Sequence, residues 1–315
     1  MHIDWWQALA GGLVGIMVGV TGMGGGALLT PILILVFGIN PGTAVSSDLL
    51  TSLVMRPVGA AVHVRRGTVA WRLVGWLCLG SVPAGFSGVL VLRALGNGHE
   101  VQHDVQLAIA WALFAAVASI VAKAVVSVRR ARVQAIDTRE IQPRPLPTVL
   151  VGVAGGFMVG MTSVGSGSLM IVLLLALYPL IATKGLVGTD LVQAVPLIAA
   201  ATLGHALYGH INTGVTASLL IGSIPGVYLG ARVSSRAPDG LIRPALVVVL
   251  VATALKMLGL PTSDVLWSAG AVVVAAAVAA GVVWAARRRG LLGGVGLATG
   301  AVAAPAAMLS ELSKP

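Results

Sequence analysis

Apolar segments of about membrane-spanning length recur along the chain, and they restrict its fold more than any other feature. They cover residues 43–62, 73–92, 105–126, 245–260 and 265–285. A helix needs roughly 20 residues, at about 1.5 Å each, to cross the hydrocarbon core of a bilayer. The segments lack the alternation of polar and apolar residues that is typical of strands. Charged residues make up only 10% of the chain, against about 25% in soluble domains. The sequence therefore predicts an all-α polytopic membrane protein.

The charge and the cysteine content exclude several other classes. The net charge is +10, but the arginines lie in short segments between apolar ones and are not interleaved with aromatic residues, as a nucleic-acid-binding face requires. We therefore expect no nucleic-acid partner, and the lipid bilayer is the expected surrounding. Cys78 is the single cysteine of the sequence, which excludes an intramolecular disulfide and a cysteine-cluster metal site. No cofactor and no bound metal are predicted.

A glycine cluster interrupts the first apolar region, in the stretch "VTGMGGGALLTP" at residues 20–31. Glycine is costly inside a helix, because it loses the most backbone freedom on ordering. The flanking segments, residues 6–20 and 27–38, would form helices of roughly 18–22 Å, shorter than the bilayer core. Two arrangements fit: a helical hairpin that enters and leaves on one side of the membrane, or a single broken span.

The second half of the chain repeats the pattern of the first. "GVTGMGGGALL" (19–29) matches "GMTSVGSGSLM" (160–170), "SSDLLTS" (46–52) matches "GTDLVQA" (188–194), and "GSVPAGFSG" (80–88) matches "GSIPGVYLG" (222–230). The sequence therefore predicts a duplication. Repeat 1 covers residues 1–128, with a hairpin at 6–38 and spans at 43–64, 72–93 and 105–128, and a linker follows at 129–146. Repeat 2 covers residues 147–262, with a hairpin at 149–180 and spans at 186–207, 213–233 and 242–260, and an additional span with a Gly/Ala-rich tail follows at 263–315.

The arginines favour the hairpin over the broken span. Loops on the cytoplasmic side carry an excess of Lys and Arg. A broken span would make the two repeats parallel and put Arg232, Arg236 and Arg243 outside, opposite to Arg65 and Arg66. A hairpin inverts the second repeat and brings all these residues to the cytoplasm. We therefore predict inverted-topology repeats with Gly-tipped re-entrant hairpins in the cell membrane, an outside N-terminus and a cytoplasmic linker.

The repeated glycine clusters predict a binding site. Inverted repeats with Gly-interrupted short segments at corresponding positions are typical of secondary transporters, whose substrates bind near the membrane midplane. A helix that begins at the glycines directs free N–H groups and a partial positive charge at the tip, which favours an anion. Close helix packing is the alternative for any one cluster, but the matched pair favours a ligand. The predicted substrate-binding residues are Thr21, Gly22, Gly24, Gly25 and Gly26 in the first tip and Thr162, Ser163, Gly165, Ser166 and Gly167 in the second.

A few polar residues inside the spans extend the predicted site. Arg56 stands in the middle of an apolar segment, where a charge is expensive and is usually functional. It either pairs with the oxygens of an anionic substrate or forms a structural ion pair with Asp48. Asp48 and its repeat equivalent Asp190 either stabilise helix starts or bind a coupling proton or sodium ion. Gln193 would supply neutral hydrogen bonds. His205 is expected to be an ordinary interfacial side chain.

These motifs resemble the TauE/SafE family of membrane permeases, also called sulfite exporters or toluene-sulfonate uptake permeases. The resemblance rests on the glycine motif that ends in proline (22–31), on "AVSSDL" (44–49) with its partner "GTDL", and on the paired "GS-x-P-x-x-x-x-G" motifs, over about residues 8–260. It implies a carrier, not an enzyme, of sulfonates, sulfite, sulfoacetate or similar small anions. The second glycine motif departs from the family pattern, since it reads "SVGSGS" without a following proline.

The predicted function is secondary transport of a small anion by alternating access. The expected partners are that anion, the bilayer and a coupling proton or sodium ion; a homo-oligomer stays an open alternative. A different class is suggested by "HEVQH", in which His99 and His103 could bind zinc with Glu100 as the base of a metalloprotease. The preceding "GNG" and the missing third ligand favour a polar loop instead.

Overall fold

The structure is a computed structural model, and it describes residues 3–21, 25–95, 99–130, 142–167, 169–178, 181, 183–208, 212–233, 239–265, 267–268 and 270. These residues form α-helices and connecting turns, with no β-strand among them, so the predicted all-α class is confirmed. Most of the predicted C-terminal span and tail lies outside the described residues.

The helices follow one another with short connections. In chain order they are α1 Trp5–Thr21, α2 Gly26–Leu35, α3 Pro41–Arg65, α4 Trp71–Leu95, α5 His99–Arg130, α6 Pro145–Thr162, α7 Leu169–Leu177, α8 Thr183–Tyr208, α9 Thr213–Val233 and α10 Asp239–Met257. The order of lengths in α1–α5 is similar to that in α6–α10: a medium helix and a short one, followed by longer helices.

Several of these helices are apolar and long enough to cross a membrane. In the described part of the chain they are Trp71–Ala94, Gln102–Ala122, Pro145–Thr162, Gly185–Tyr208 and Thr213–Gly230. Helix α3 is also long enough to cross a membrane, but it is less apolar than these helices. One side of it carries buried polar residues between Ser46 and Arg56. The chain is a multi-pass membrane protein, and α3 is its polar interior helix.

Helices α6 and α7 form an antiparallel hairpin. Tyr178, directly after α7, has its hydroxyl oxygen 2.5 Å from the Thr148 hydroxyl in the first turns of α6. The same hydroxyl accepts a hydrogen bond of 2.7 Å from the Arg144 amide. Nearer the tip, the side chain of Met170 lies against Gly155. The end of α7 has therefore returned to the level at which α6 begins.

Glycines allow two pairs of helices to pack with their backbones in contact. Gly80 of α4 lies against the carbonyl of Val149 in α6, and Gly88 lies against that of Phe157. Since the later residue of α4 contacts the later residue of α6, the two helices run in the same direction. Small residues of this kind are typical of tight helix packing in membranes. The glycines in these helix bodies therefore serve packing.

The second pair, α1 and α9, packs in the same way. Gly11 lies against the backbone of Leu219, and Gly230 lies against the carbonyl of Ile16. These two helices also run in the same direction. The duplication predicted from the sequence pairs α1 with α6 and α9 with α4, and under that prediction the α1–α9 contact is equivalent to the α4–α6 contact.

Helices α3 and α8, which the predicted duplication makes equivalent, run antiparallel. Ser46 near the start of α3 hydrogen-bonds to His205 near the end of α8. At the other end, His63 of α3 lies against Gly188 of α8. Helix α8 also runs parallel to α4, since Ser81 contacts Gln193 and Val89 contacts Gly204. The buried apolar residues form two clusters, one of which includes residues of α3 itself, while the other consists mainly of residues of α4 and α7.

Candidate functional site

A buried carboxylate, Asp48, lies at the centre of the polar side of α3. Its exposed fraction is 0%. The Thr30 hydroxyl of α2 donates a hydrogen bond of 2.7 Å to Oδ2, and the Ser52 hydroxyl is 3.4 Å from Oδ1. The Ser163 side chain is a further hydrogen-bond partner. Thr30, which follows the first glycine cluster and directly precedes Pro31, thus binds this carboxylate.

The guanidinium of Arg56 lies two helical turns further along α3 and is 6% exposed. Its Nη2 donates to the Ser166 hydroxyl at 2.5 Å and approaches the Ser166 carbonyl at 3.4 Å. Its Nε and Nη1 atoms have no hydrogen-bond partner among the described residues. These atoms carry three N–H donors, and leaving such donors unused in a buried place is costly. The arrangement is suited to an anion that accepts them.

The structure does not make Arg56 and Asp48 a directly bonded pair. In the part of the chain that the structure describes, the hydrogen bonds of Arg56 go to Ser166, and those of Asp48 go to hydroxyl groups. Both Asp190 and Asp48 act electrostatically on Arg56. The described contacts therefore give no support to the alternative in which Arg56 forms a direct ion pair with Asp48.

The turn between α6 and α7 supplies the groups that face Arg56. Ser163 ends α6 in a left-handed conformation with φ 59°, and Gly165 and Gly167 follow with φ of 121° and 95°. Glycine adopts the φ values of Gly165 and Gly167 readily, because it has no Cβ atom. The Thr162 hydroxyl accepts from the Val164 amide at 3.1 Å and donates to the Met158 carbonyl at 2.7 Å. Thr162 therefore shapes the turn, which presents Ser163 and Ser166 to α3.

The first glycine cluster meets this turn. Gly26, the first residue of α2, lies directly against the backbone carbonyl of Ser163, and Gly25 lies beside Ser52. The structure thus brings together two segments that the sequence places 137 residues apart, Gly26 and Ser163. Gly22 and Gly24 lie outside the described residues, and of Thr21 the structure gives only its place at the end of α1.

Helix α8 contributes further buried polar groups from the second half of the chain. The Gln193 amide nitrogen is 3.4 Å from Asp190 Oδ1, and its Oε1 accepts a hydrogen bond of 3.0 Å from Ser81 of α4. Asp190, Gln193 and Ser81 are all 0% exposed. Gln193 is therefore held between Asp190 and Ser81, and Asp190 acts electrostatically on Arg56.

His205 is not the interfacial side chain expected from the sequence. It is 3% exposed, with Nδ1 3.0 Å from the Ser46 hydroxyl and Nε2 3.1 Å from the Gly160 carbonyl. The apolar run around His205 gives no sign that this end of α8 is covered by α3 and α6. Sequence reasoning also missed Thr30, Ser52 and Ser81, whose hydroxyls are ordinary in membrane helices until a partner is known.

The "HEVQH" segment forms the start of α5. His103 is exposed, and the structure does not describe the side chains of His99 and Glu100. No group of three His, Cys, Asp or Glu side chains that could hold a metal ion occurs among the described residues. The arrangement gives the metalloprotease alternative no support.

Comparison with known proteins agrees with the membrane architecture. The family model described as sulfite exporter TauE/SafE matches residues 7–257. The probable membrane transporter protein YjnA of Bacillus subtilis is 35% identical over 251 residues, which cover 79% of this chain and 98% of YjnA. The probable membrane transporter protein MJ0441 of Methanocaldococcus jannaschii is 26% identical, over 80% of this chain and 92% of its own length. No solved structure matches the chain significantly.

Proposed function

Because the chain belongs to the sulfite exporter TauE/SafE family of membrane transporters, we propose that it carries small sulfur-containing anions across the cell membrane. The substrate class comprises sulfonates, sulfite and sulfoacetate. Each presents several oxygens on one sulfur atom, so that one group can accept hydrogen bonds from several donors at once.

The unused donors of Arg56 carry this proposal. A buried guanidinium with Nε and Nη1 unbonded among the described residues provides a planar, permanently charged donor set that fits oxyanions. Charge-assisted hydrogen bonds of this kind are roughly twice as strong as neutral ones. Ser166 holds the third nitrogen of the group, Nη2, and thereby fixes its orientation. The start of α2 at Gly26 lies beside the same turn and adds the partial positive charge of a helix N-terminus.

The proposed mechanism is alternating access between two inverted repeats with re-entrant hairpins. The antiparallel course of α3 and α8 supports inversion, because equivalent helices of parallel repeats would run the same way. The α6–α7 hairpin supports re-entry, since a broken span would continue onward. The site lies where the halves meet: Arg56 of the first contacts Ser166 of the second, and Gly26 contacts Ser163. Movement of one half against the other would therefore open or close the site.

The orientation follows from the loop charges. With inverted repeats, the arginine-rich segment at 129–146 and the arginines after α3 and α9 share the cytoplasmic side, and the N-terminus lies outside.

Binding of anions to the purified protein tests the proposal. We would measure affinities for methanesulfonate, sulfoacetate and sulfite, with sulfate and acetate as controls, for the wild type and for Arg56→Ala. Loss of a charged hydrogen-bond partner is worth about 1.5–3 kcal/mol, so sulfonate affinity should fall by roughly 10- to 150-fold. Arg72→Ala, which removes an exposed arginine at the start of α4, is the matched control and should leave the affinity unchanged. Sulfonate binding that Arg56→Ala does not weaken would refute the assigned role of Arg56.

A further inference from the structure

We infer that Asp48 binds one proton together with each anion, so that the protein is a proton-coupled carrier. This inference rests on the proposed anion site at Arg56 and adds the coupling ion to it. It follows from the charges that the structure buries around that site and from the chemistry of the groups that hold Asp48.

The balance of buried charges requires a compensating ion. Asp48 and Asp190 are each 0% exposed and Arg56 is 6% exposed, so the described site holds two carboxylates and one guanidinium. With both carboxylates ionised its net charge is already negative, and an arriving anion would add a second uncompensated negative charge. Buried charge without compensation is strongly unfavourable. One proton taken up with a monovalent anion leaves the net charge of the site unchanged.

Asp48 is the carboxylate better placed to take that proton. The Gln193 amide nitrogen lies 3.4 Å from Oδ1 of Asp190, and because this nitrogen can only donate a hydrogen bond, it favours an ionised Asp190. Asp48 is held instead by the hydroxyls of Thr30, Ser52 and Ser163. A hydroxyl donates or accepts as needed. When Oδ2 of Asp48 gains a proton, it can donate across the same 2.7 Å to Thr30 Oγ1, without movement of the heavy atoms.

Few other titratable groups approach this position. Helix α2 and the α6–α7 turn contain none. Helix α8 contributes Asp190, which faces Arg56, and His205, which is bound to Ser46 and the Gly160 carbonyl. Among the described side chains, Arg56 is the charged group that acts electrostatically on Asp48. Arrival of an anion at Arg56 would screen this positive charge from Asp48 and favour uptake of the proton.

The surroundings of Asp48 favour a proton over a sodium ion. Thr30 and Asp48 are both 0% exposed, and a proton needs neither volume nor a shell of ligands. The nearby Ser166 carbonyl, which could coordinate a metal ion, is already approached by Arg56. The positive charge of Arg56, which acts electrostatically on Asp48, would in addition repel a sodium ion at this carboxylate.

The test is the pH dependence of methanesulfonate binding, because this probe keeps the same charge across the range from pH 5.5 to 8.5. If one proton binds with each anion, the wild-type affinity should fall by about tenfold per pH unit in the alkaline range. Asp48→Asn, which mimics the protonated carboxyl, should bind methanesulfonate with no pH dependence. Asp264→Asn, which alters an exposed carboxylate, should keep both the wild-type affinity and its slope.

Proton uptake by the wild type provides a second readout that does not depend on the folding of any variant. In weakly buffered solution with a pH-sensitive dye, saturating methanesulfonate should withdraw about one proton per protein. Binding that depends on Arg56 but has no pH slope and no proton uptake would overturn the inference and leave the anion site standing. Binding that depends on sodium instead of pH would overturn it as well. Absence of sulfonate binding at every pH would instead refute the proposed function.

Discussion

The backbone carbonyl of Ser163 occupies the space into which a side chain on Gly26 would project. Gly26 begins α2 in the first half of the chain, and Ser163 ends α6 in the second. Their contact therefore joins the tips of the two glycine-rich segments, beside Asp48 and Arg56. Because the obstructing atom belongs to the backbone, a methyl group at this position forces the two segments apart.

We expect Gly26→Ala to lower sulfonate affinity and transport by at least about tenfold, since a displacement near 1 Å at a binding site has effects of this size or larger. Uptake into proteoliposomes and equilibrium binding would measure the two effects. Gly75→Ala is the control, because Gly75 lies in α4 with open space around its Cα. If both variants transport like the wild type, the contact of the two tips has no part in the site.

The sequence predicts much of the helical architecture, but it does not predict which side chains of different helices contact one another. Apolar segment length predicts the helices, and the position of Arg56 within an apolar run predicts a buried functional cation. The importance of the hydroxyl groups in the site cannot be predicted in this way. Thr30 has the same local surroundings as many membrane threonines, and its importance comes from Asp48 on another helix. The hydrogen bond from Arg56 to Ser166 spans 110 positions, so no local pattern contains it.

The orientation of the guanidinium provides a second prediction. Ser166→Ala removes the hydroxyl that holds Nη2 of Arg56 but leaves the charge, so sulfonate affinity should fall by about 3- to 10-fold, the worth of one hydrogen bond. Arg56→Lys keeps the charge and loses the planar donor set, so it should weaken sulfonate binding by more than Ser166→Ala does. Calorimetric titration would measure both. Equal affinity of Arg56→Lys and the wild type would show that charge alone suffices there.

His205 supports a third prediction, on stability. Its Nε2 donates to the Gly160 carbonyl, a helical acceptor near the end of α6 whose usual partner, the Val164 amide, bonds to Thr162 instead. His205→Phe leaves this carbonyl without its donor, which costs about 1–3 kcal/mol. We expect a lower thermal unfolding temperature in detergent, with a smaller loss in His205→Gln, which retains an N–H donor.

His63→Phe is the matched control for that experiment. His63 aligns with His205 in the duplication predicted from the sequence, but it is only partly buried and is 2.9 Å from the Thr68 hydroxyl at the end of its helix. If His63→Phe lowers the unfolding temperature as much as His205→Phe does, the stabilisation does not come from the Gly160 contact.

The proposed inverted repeats place two loops, which are equivalent under the predicted duplication, on opposite sides of the membrane. The loop after α3 and the loop after α8 occupy the same position in their repeats, and α3 and α8 run antiparallel. In a Cys78→Ala background, a cysteine introduced by Thr213→Cys, an exposed position at the start of α9, should react with an impermeant maleimide added to intact cells. One introduced by Arg66→Cys, exposed after α3, should react only after permeabilisation. Parallel repeats would place both loops on one side, so identical labelling of the two variants would exclude the inverted topology and with it the proposed alternation between the halves.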